Sequence, residues 1–259
     1  MIFKLEDHFA GGLSPLWEVT EAGRASVRPT PGGLRMAIQH AQGAYSNAQI
    51  ADYSYRDFHF RWRPPVRLTI VARAEGDPPS GTAGFGFWNH PFSPDAHRLP
   101  RLPQAIWFFY AGEQSDMALA YGVPGCGWKA ATLTTGQWPG LVLAPGALAA
   151  ILLTRIPGLG RPVMNLARRF VIAHEAPLAD VALDQWHTYG IDWQPAEARF
   201  SVDGVERLRS PAPGAGPLGF VMWVDNQYAI ASEDGHFGFG LSPVGEAQWL
   251  EIKDLQLGV

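Results

Sequence analysis

Only one cysteine, Cys126, occurs in the 259 residues, which excludes an internal disulfide. Charge is scarce as well. Asp, Glu, Lys and Arg make up 17% of the chain, below the usual quarter, so much of the surface must be neutral, aromatic or covered. Lysine is limited to Lys4, Lys129 and Lys253, and the net charge is −4. A nucleic-acid surface needs a concentrated basic face, so that class of partner is excluded. No run reaches the roughly 18 apolar residues that span a bilayer. The start, Met1 to Phe9, has the character of a first strand and lacks an apolar leader region, so a cytoplasmic chain is expected. Nucleophile elbow, phosphate loop and Cys/His redox motif are all missing, and no cofactor is expected.

What the chain does have is turns and strands. Glycine (29) and proline (22) are scattered throughout, as many short strands with many turns require. Gln185 to Arg207 is the clearest stretch. Trp186, Thr188, Gly190 and Asp192 alternate with His187, Tyr189, Ile191 and Trp193, which is the period of a strand. Asp203-Gly204 follows between two further apolar runs and predicts a tight hairpin, because that turn needs φ > 0. Other predicted strands are Leu34–Ile38, Asp57–Arg63, Val66–Arg73, Thr82–Asn89, Ala105–Tyr110, Asp116–Tyr121, Ala198–Val202, Leu218–Asp225 and Trp249–Leu257. Clusters such as Pro29 to Gly33, Glu75 to Gly81 and Pro211 to Pro217 separate them. Regular strands without interleaved helices predict an all-β sandwich or jelly roll, with neither domain boundary nor repeat.

Leu141 to Ala173 breaks the pattern. Pro145 and Pro162 open two short helix-forming stretches, predicting a helical insertion over 141–173. It is apolar on nearly all sides and must cover something. Three roles fit: packing on the sheet, a lid over a ligand site, or contact with a membrane surface through Arg155, Arg161, Arg168 and Arg169.

Several segments together carry a family resemblance: Leu5 to Phe9 with Leu16-Trp17, Gly81 to Pro91, Trp186 to Val205, Pro217 to Gln227 and Trp249 to Leu257. In this order they resemble the concanavalin A-like lectin/glucanase superfamily, and within it the laminarinase-like branch, glycoside hydrolase family 16. The resemblance implies a jelly-roll β-sandwich of two antiparallel sheets, one concave and holding a ligand cleft. It also implies a Glu-x-Asp-x-x-Glu signature, which puts nucleophile and acid/base on one face of a strand. No segment matches that signature. The corresponding region, Pro103 to Met117, has a strand core without a carboxylate, and Glu113 and Asp116 follow it three apart. Glu246 with Glu251 and Glu175 with Asp180 are also wrongly spaced.

Candidate site residues follow from strand faces. Val221, Trp223 and Asp225 share one face of a strand, whose other face, Phe220, Met222 and Val224, is core. Asp225 at the end of an apolar strand should have a raised pKa and suit a proton donor, with Asp116 as its catalytic companion. Asp225 and Asn226 equally suit an Asx turn. Gly84, Gly86 and Trp88 share a face that fits a groove floor or the close approach of another backbone. Asn89 is a turn former or a ligand hydrogen-bonder. Trp107 and Phe109 alternate with Ile106, Phe108 and Tyr110, so the strand is buried on both sides and either set could line a cleft. Gln104, Trp128, Lys129, Asn226 and Gln227 could complete a ligand site. His90, Asp95 and His97 lie within eight residues of one another, but their spacing matches no helix or hairpin metal site, and no metal is assigned.

Two functions are carried forward. The first is binding of a largely apolar or aromatic small molecule in the cleft, with isomerisation or cyclisation through Asp225. The second is a carbohydrate-binding protein or atypical family 16-like hydrolase, since Trp faces stack on sugar rings. Two carboxylates facing each other across the cleft would favour the second. A lone buried aspartate in an aromatic pocket under 141–173 would favour the first.

Overall fold

The structure is a computed structural model. It describes residues 4–74, 80–90, 103–118, 120, 122–135, 162, 171–214, 216–231 and 236–259. Seventeen strands occur among them. The first nine are β1 (Leu5–Asp7), β2 (Glu18–Ala22), β3 (Ala25–Thr30), β4 (Gly33–Ile38), β5 (Asn47–Ala51), β6 (Val66–Ala74), β7 (Thr82–Trp88), β8 (Ala105–Ala111) and β9 (Gly127–Thr135). The rest are β10 (Val171–Pro177), β11 (His187–Trp193), β12 (Glu197–Val202), β13 (Val205–Pro211), β14 (Gly219–Asp225), β15 (Gln227–Ala231), β16 (Phe237–Leu241) and β17 (Gln248–Gly258).

Two large antiparallel sheets face each other. One runs β13-β12-β11-β6-β17-β4-β3, with β1 added to β17. The other runs β10-β9-β8-β7-β14-β5-β2. A third, two-stranded sheet is the β15-β16 hairpin. The predicted all-β jelly-roll sandwich is what is observed. Asp203 and Gly204 close β12 onto β13 with φ of 51° and 78°, the paired positive values of a type I′ turn.

The main core lies between the sheets, and strand alternation fills it. Phe220, Met222 and Val224 of β14, Phe85 and Phe87 of β7, and Ile106, Phe108 and Tyr110 of β8 meet Tyr189, Ile191 and Trp193 of β11 and Phe200 of β12. A second apolar cluster occupies the opposite face of the β14 sheet: Phe109, Val221 and Trp223 with Tyr53, Phe58 and Phe60. A sheet that buries both faces reads as continuously apolar, which explains β7, β8 and β14.

Two predicted strands are corrected. Asp57–Arg63 is no strand: Phe58 has φ of 48°, and the segment's β-pairing is an isolated bridge from Trp62 to Leu218. Its alternating Phe58, Phe60 and Trp62 are loop rings; Phe58 and Phe60 pack in the second cluster and Trp62 in the main core. Asp116–Tyr121 contributes only a single bridge, Asp116 to Ile230, among its described residues. The predicted insertion 141–173 lies outside the described residues, apart from Pro162 and Val171–Ala173, which open β10. No helix among the described residues is long and apolar enough to cross a membrane.

Candidate functional site

The second apolar cluster forms the floor of a cavity of about 930 Å³. Sheet register builds that floor. On β14, Val221, Trp223 and Asp225 point away from the main core. Their partners on β7 are Gly86, Gly84 and Thr82, and on β5 Ala51, Gln49 and Asn47. One strand further, Gly86 and Gly84 pair with Trp107 and Phe109 of β8. The ring of Trp107 stands 5.6 Å from Trp88, 5.5 Å from Phe109 and 5.4 Å from Trp223, centroid to centroid.

The two glycines allow both a close approach of the β8 backbone and room for these rings: a Cβ on Gly84 would lie 2.4 Å from the Phe108 carbonyl oxygen, and one on Gly86 2.3 Å from that of Ile106. A Cβ on Gly84 would lie 2.9 Å from Trp223 Cη2, and one on Gly86 would lie 2.7 Å from Trp107 Cβ. Gly86 also has φ of 149°, a conformation that other residues rarely adopt. Gly84→Ala is therefore expected to cost about 1–3 kcal/mol by overpacking. It should also displace the Trp223 ring, which a chemical melt and the tryptophan emission spectrum would register together. An unchanged melt with unchanged emission would refute this account of the floor.

Asp225 closes one end of the floor. The residue is only 7% exposed. Its Oδ1 accepts from Thr82 Oγ1 (2.7 Å), Thr82 N (3.2 Å) and Gln227 N (3.1 Å). Thr82 Oγ1 in turn accepts from Trp223 Nε1 at 2.9 Å. Burial pushes the Asp225 carboxyl up to about 6, against the pull of these donors. The Tyr45 phenol beside it is raised too, by its own burial and then by the charge of Asp225.

The other end is aromatic. Trp88 Nε1 donates to Tyr53 OH at 3.1 Å, and the His90 ring lies 5.1 Å from Trp88, 4.9 Å from Tyr55 and 5.3 Å from Phe58. Six residue steps of extended chain lead from Thr82 to Trp88, so the two ends lie ~20 Å apart. The walls are Tyr228, Ala229, Phe239 and Leu241 of the β15-β16 hairpin, together with Met117. Lys129 anchors Met117: its wholly buried Nζ donates to the Met117 carbonyl at 3.1 Å and pairs with Glu175 at 3.4 Å.

No protein-family model matches the sequence, and no curated protein matches it. Solved structures do match in shape. The GlcNAcα1-4Gal-releasing endo-β-galactosidase of Clostridium perfringens superposes with a TM-score of 0.60 at 12% identity, covering 99% of this chain. The chain spans 62% of that enzyme's length. The Bacillus licheniformis β-glucanase gives 0.55 at 12% identity, over 98% of this chain and 97% of its own. The endo-β-1,4-glucuronan lyase of the fungus Trichoderma reesei gives 0.51 at 12% identity, over 99% and 94%. The fold is the concanavalin A-like jelly roll of the glucanases. At these identities the likeness is one of fold, and the family resemblance read from the sequence holds at that level.

The cleft-facing residues of β8 are Trp107 and Phe109, and Asp225 is the only carboxylate among the described residues lining the cavity. Retaining hydrolysis uses two carboxyls about 5–5.5 Å apart. Asp116 does not supply the second. Its backbone pairs with the hairpin, and its carboxyl is packed against Gly125, where an added Cβ would strike Oδ1.

Of the other predicted site residues, Trp88, Trp107, Phe109, Trp223 and Gln227 line the cavity with Asp225. Six do not. Tyr110 and Trp128 fall on the core side of their strands, and Trp128 stacks on Phe108. Asn89 is engaged with backbone: its Oδ1 accepts from the backbone N of Gln104, joining the end of β7 to the residue before β8. Gln104 is the donor of that bond. Asn226 is spent on backbone, accepting from Ser46 N and donating to the carbonyls of Ala44 and Ser242. Lys129 faces the cleft side but is closed off by its pair with Glu175. His90 lines the cavity, while Asp95 and His97 lie outside the described residues. No group of three metal-binding side chains occurs among the described residues. Sequence reasoning missed Thr20, Asn47, Gln49, Tyr45, Tyr55, Thr82 and the hairpin wall. The polar alternation Asn47-Ala48-Gln49-Ile50 was the available signal for β5.

Proposed function

We propose that this cleft binds an oligosaccharide and does not hydrolyse it by the two-carboxylate retaining route. The observation that carries this reading is the aromatic platform of Trp88, Trp107, Phe109 and Trp223, laid along the sheet face that forms the cavity floor. A pyranose ring offers an apolar C–H face and a polar hydroxyl edge. Large aromatic faces receive the first, and Trp rings carry apolar bodies with polar tips suited to wet sites. Asn47, Gln49, Gln227 and Asp225 at the cavity margin suit the second. The glucanase-type fold supports the same substrate class by analogy.

A second reading has one observation in its favour. Asp225 is a single, protonatable acid pushed up to about 6 in a cavity that Met117, Phe239 and Leu241 also line, an arrangement suited to acid-catalysed isomerisation or cyclisation of an apolar ligand. Intrinsic tryptophan fluorescence separates the two readings. Titration with laminaritetraose, cellotetraose and β-1,4-galactotetraose should give a saturable change without release of reducing ends on long incubation. Saturation by polycyclic or terpenoid compounds alone would reverse the order. Reducing-end release lost in Asp225→Asn would replace binding by hydrolysis.

A further inference from the structure

We propose that the Asp225 end of the cleft is a cation subsite, which takes a protonated amine carried on the sugar, as on an unacetylated amino sugar. The assignment rests on the oligosaccharide reading above and names the charge of its substrate.

The carboxyl is open to the cavity on one side only. Its three hydrogen bonds, from Thr82 and Gln227, all end on Oδ1. Oδ2 takes none from the described residues, and it is not among the polar atoms shut away from the surface. Asp225 also lines the cavity. A ligand atom entering this end therefore meets Oδ2.

Nothing on the protein side balances the charge. No Lys or Arg occurs among the described residues lining the cavity, and Asp225 forms no ion pair among them. The groups that stabilise the ionised form are the neutral donors of Thr82 and Gln227, and they do not outweigh its burial. An unpaired charge in a place sheltered from water is costly, and an opposite charge brought by a ligand offsets that cost. A hydroxyl can bond to Oδ2 but leaves the charge uncompensated. An ammonium group does both.

The rings around the acid favour the same sign. Trp223 Nε1 donates to Thr82 Oγ1 at 2.9 Å, and that hydroxyl donates to Asp225 at 2.7 Å, so the indole is one side chain away. The Tyr45 phenol is near enough for the charge of Asp225 to add to its own burial in raising it. Tyr228 lines the cavity three residues after the acid. Aromatic faces carry negative charge density and attract cations, the more so where water is excluded. A carboxylate among aromatic rings is thus selective for an ammonium group over a neutral ring, and repels a uronic acid or a sulfated ring.

The experiment compares the β-1,4-linked glucosamine tetramer with cellotetraose and with the N-acetylglucosamine tetramer by calorimetry at pH 7.0. The wild-type chain should bind the amine at least tenfold more tightly than either neutral tetramer. Asp225→Asn should erase that preference while still binding cellotetraose. Equal binding of the three tetramers by the wild type overturns the subsite and leaves oligosaccharide binding in place. A preference that persists in Asp225→Asn overturns it as well. If no tetramer binds, the oligosaccharide reading falls, and choline against its uncharged isostere 3,3-dimethylbutan-1-ol decides the subsite alone. Saturable binding of choline only, lost in Asp225→Asn, keeps the cation subsite; choline that binds no better than the alcohol ends it. The wild-type comparisons need no variant, so a poorly folded Asp225→Asn cannot mask the answer.

Discussion

Trp223→Ala is expected to abolish measurable oligosaccharide binding and to lower the melting temperature by roughly 10 °C. Both effects come from one location. Trp223 is nearly buried at the centre of the floor, 5.4 Å from Trp107 and 6.1 Å from Phe109, and it stands over Gly84. Truncating such a ring costs about 3–5 kcal/mol in lost contacts and cavity. In a domain of this size each kcal/mol shifts the melt by about 2–4 °C. The ring also completes the platform, and buried aromatic anchors of this kind are worth about 2 kcal/mol or more in binding. A third loss is polar: without Nε1, Thr82 Oγ1 loses a donor while it is still needed to donate to Asp225. Trp223→Phe isolates that part. It should keep most of the stability and the platform, and lose about 1 kcal/mol from the missing hydrogen bond. Scanning calorimetry with a titration at 15 °C, where every variant is folded, gives both quantities. A melt and affinity unchanged in Trp223→Ala would remove the residue from the floor.

Asp225→Asn should do the reverse to stability. The carboxyl titrates near 6 in the folded protein against an ordinary 3.8. At pH 3 it is protonated folded or unfolded and contributes nothing. As pH rises through 4 and 5, the unfolded chain releases the proton and the folded chain keeps it, so stability falls with rising pH. Above about 6 the penalty is complete, on the order of 3 kcal/mol for two units at 1.36 kcal/mol each. Asparagine keeps an Oδ1 for the three donors from Thr82 and Gln227, and it carries no charge. The variant should therefore be about 2–3 kcal/mol more stable than wild type at pH 8 and indistinguishable from it at pH 3. Urea midpoints at the two pH values test this. Equal midpoints at pH 8 would mean that Asp225 is not a desolvated acid. Asp52, also raised to about 6 by burial, stays in place, so part of the pH slope should survive in the variant. The gain should be accompanied by weaker binding, the usual exchange where a site holds a strained charge.

Most of the scaffold was legible in the sequence because its signals are local. Asp203-Gly204 can close a hairpin only one way, and the alternation in β14 separated core from cleft before any coordinates. Trp88 and Trp223 followed from the same period, whereas for β8 the period left either ring set as the cleft face. The errors arose where alternation says that two faces exist without saying which one is wet. Tyr110 was assigned to the cleft but belongs to the opposite face of β8 from Trp107. Trp128 lies on β9, which no predicted strand covered. Asp57 to Arg63 imitated a strand because loop rings at every second residue also pack inward. Asn47 to Ala51 was overlooked for the opposite reason. It is short, polar and alanine-rich, and it becomes a strand through its pairing with β14 and β2. Asn47 and Gln49 line the cavity from it, so that side of the site emerges only from long-range register.

The floor of the cleft is also the second apolar cluster of the protein, and this limits how the chain can diversify. Phe109, Val221 and Trp223 support one another and hold the sheet while they form the bottom of the cavity. A change there alters ligand preference and folding at once, and lineages carrying it are removed for instability before any new specificity is tested. The rim is released from that bond. Phe239 is 90% exposed, and Tyr45 is 41% exposed. Descendants of this chain should therefore acquire new ligands through the hairpin and the Tyr45 loop, while the tryptophan floor is inherited almost unaltered.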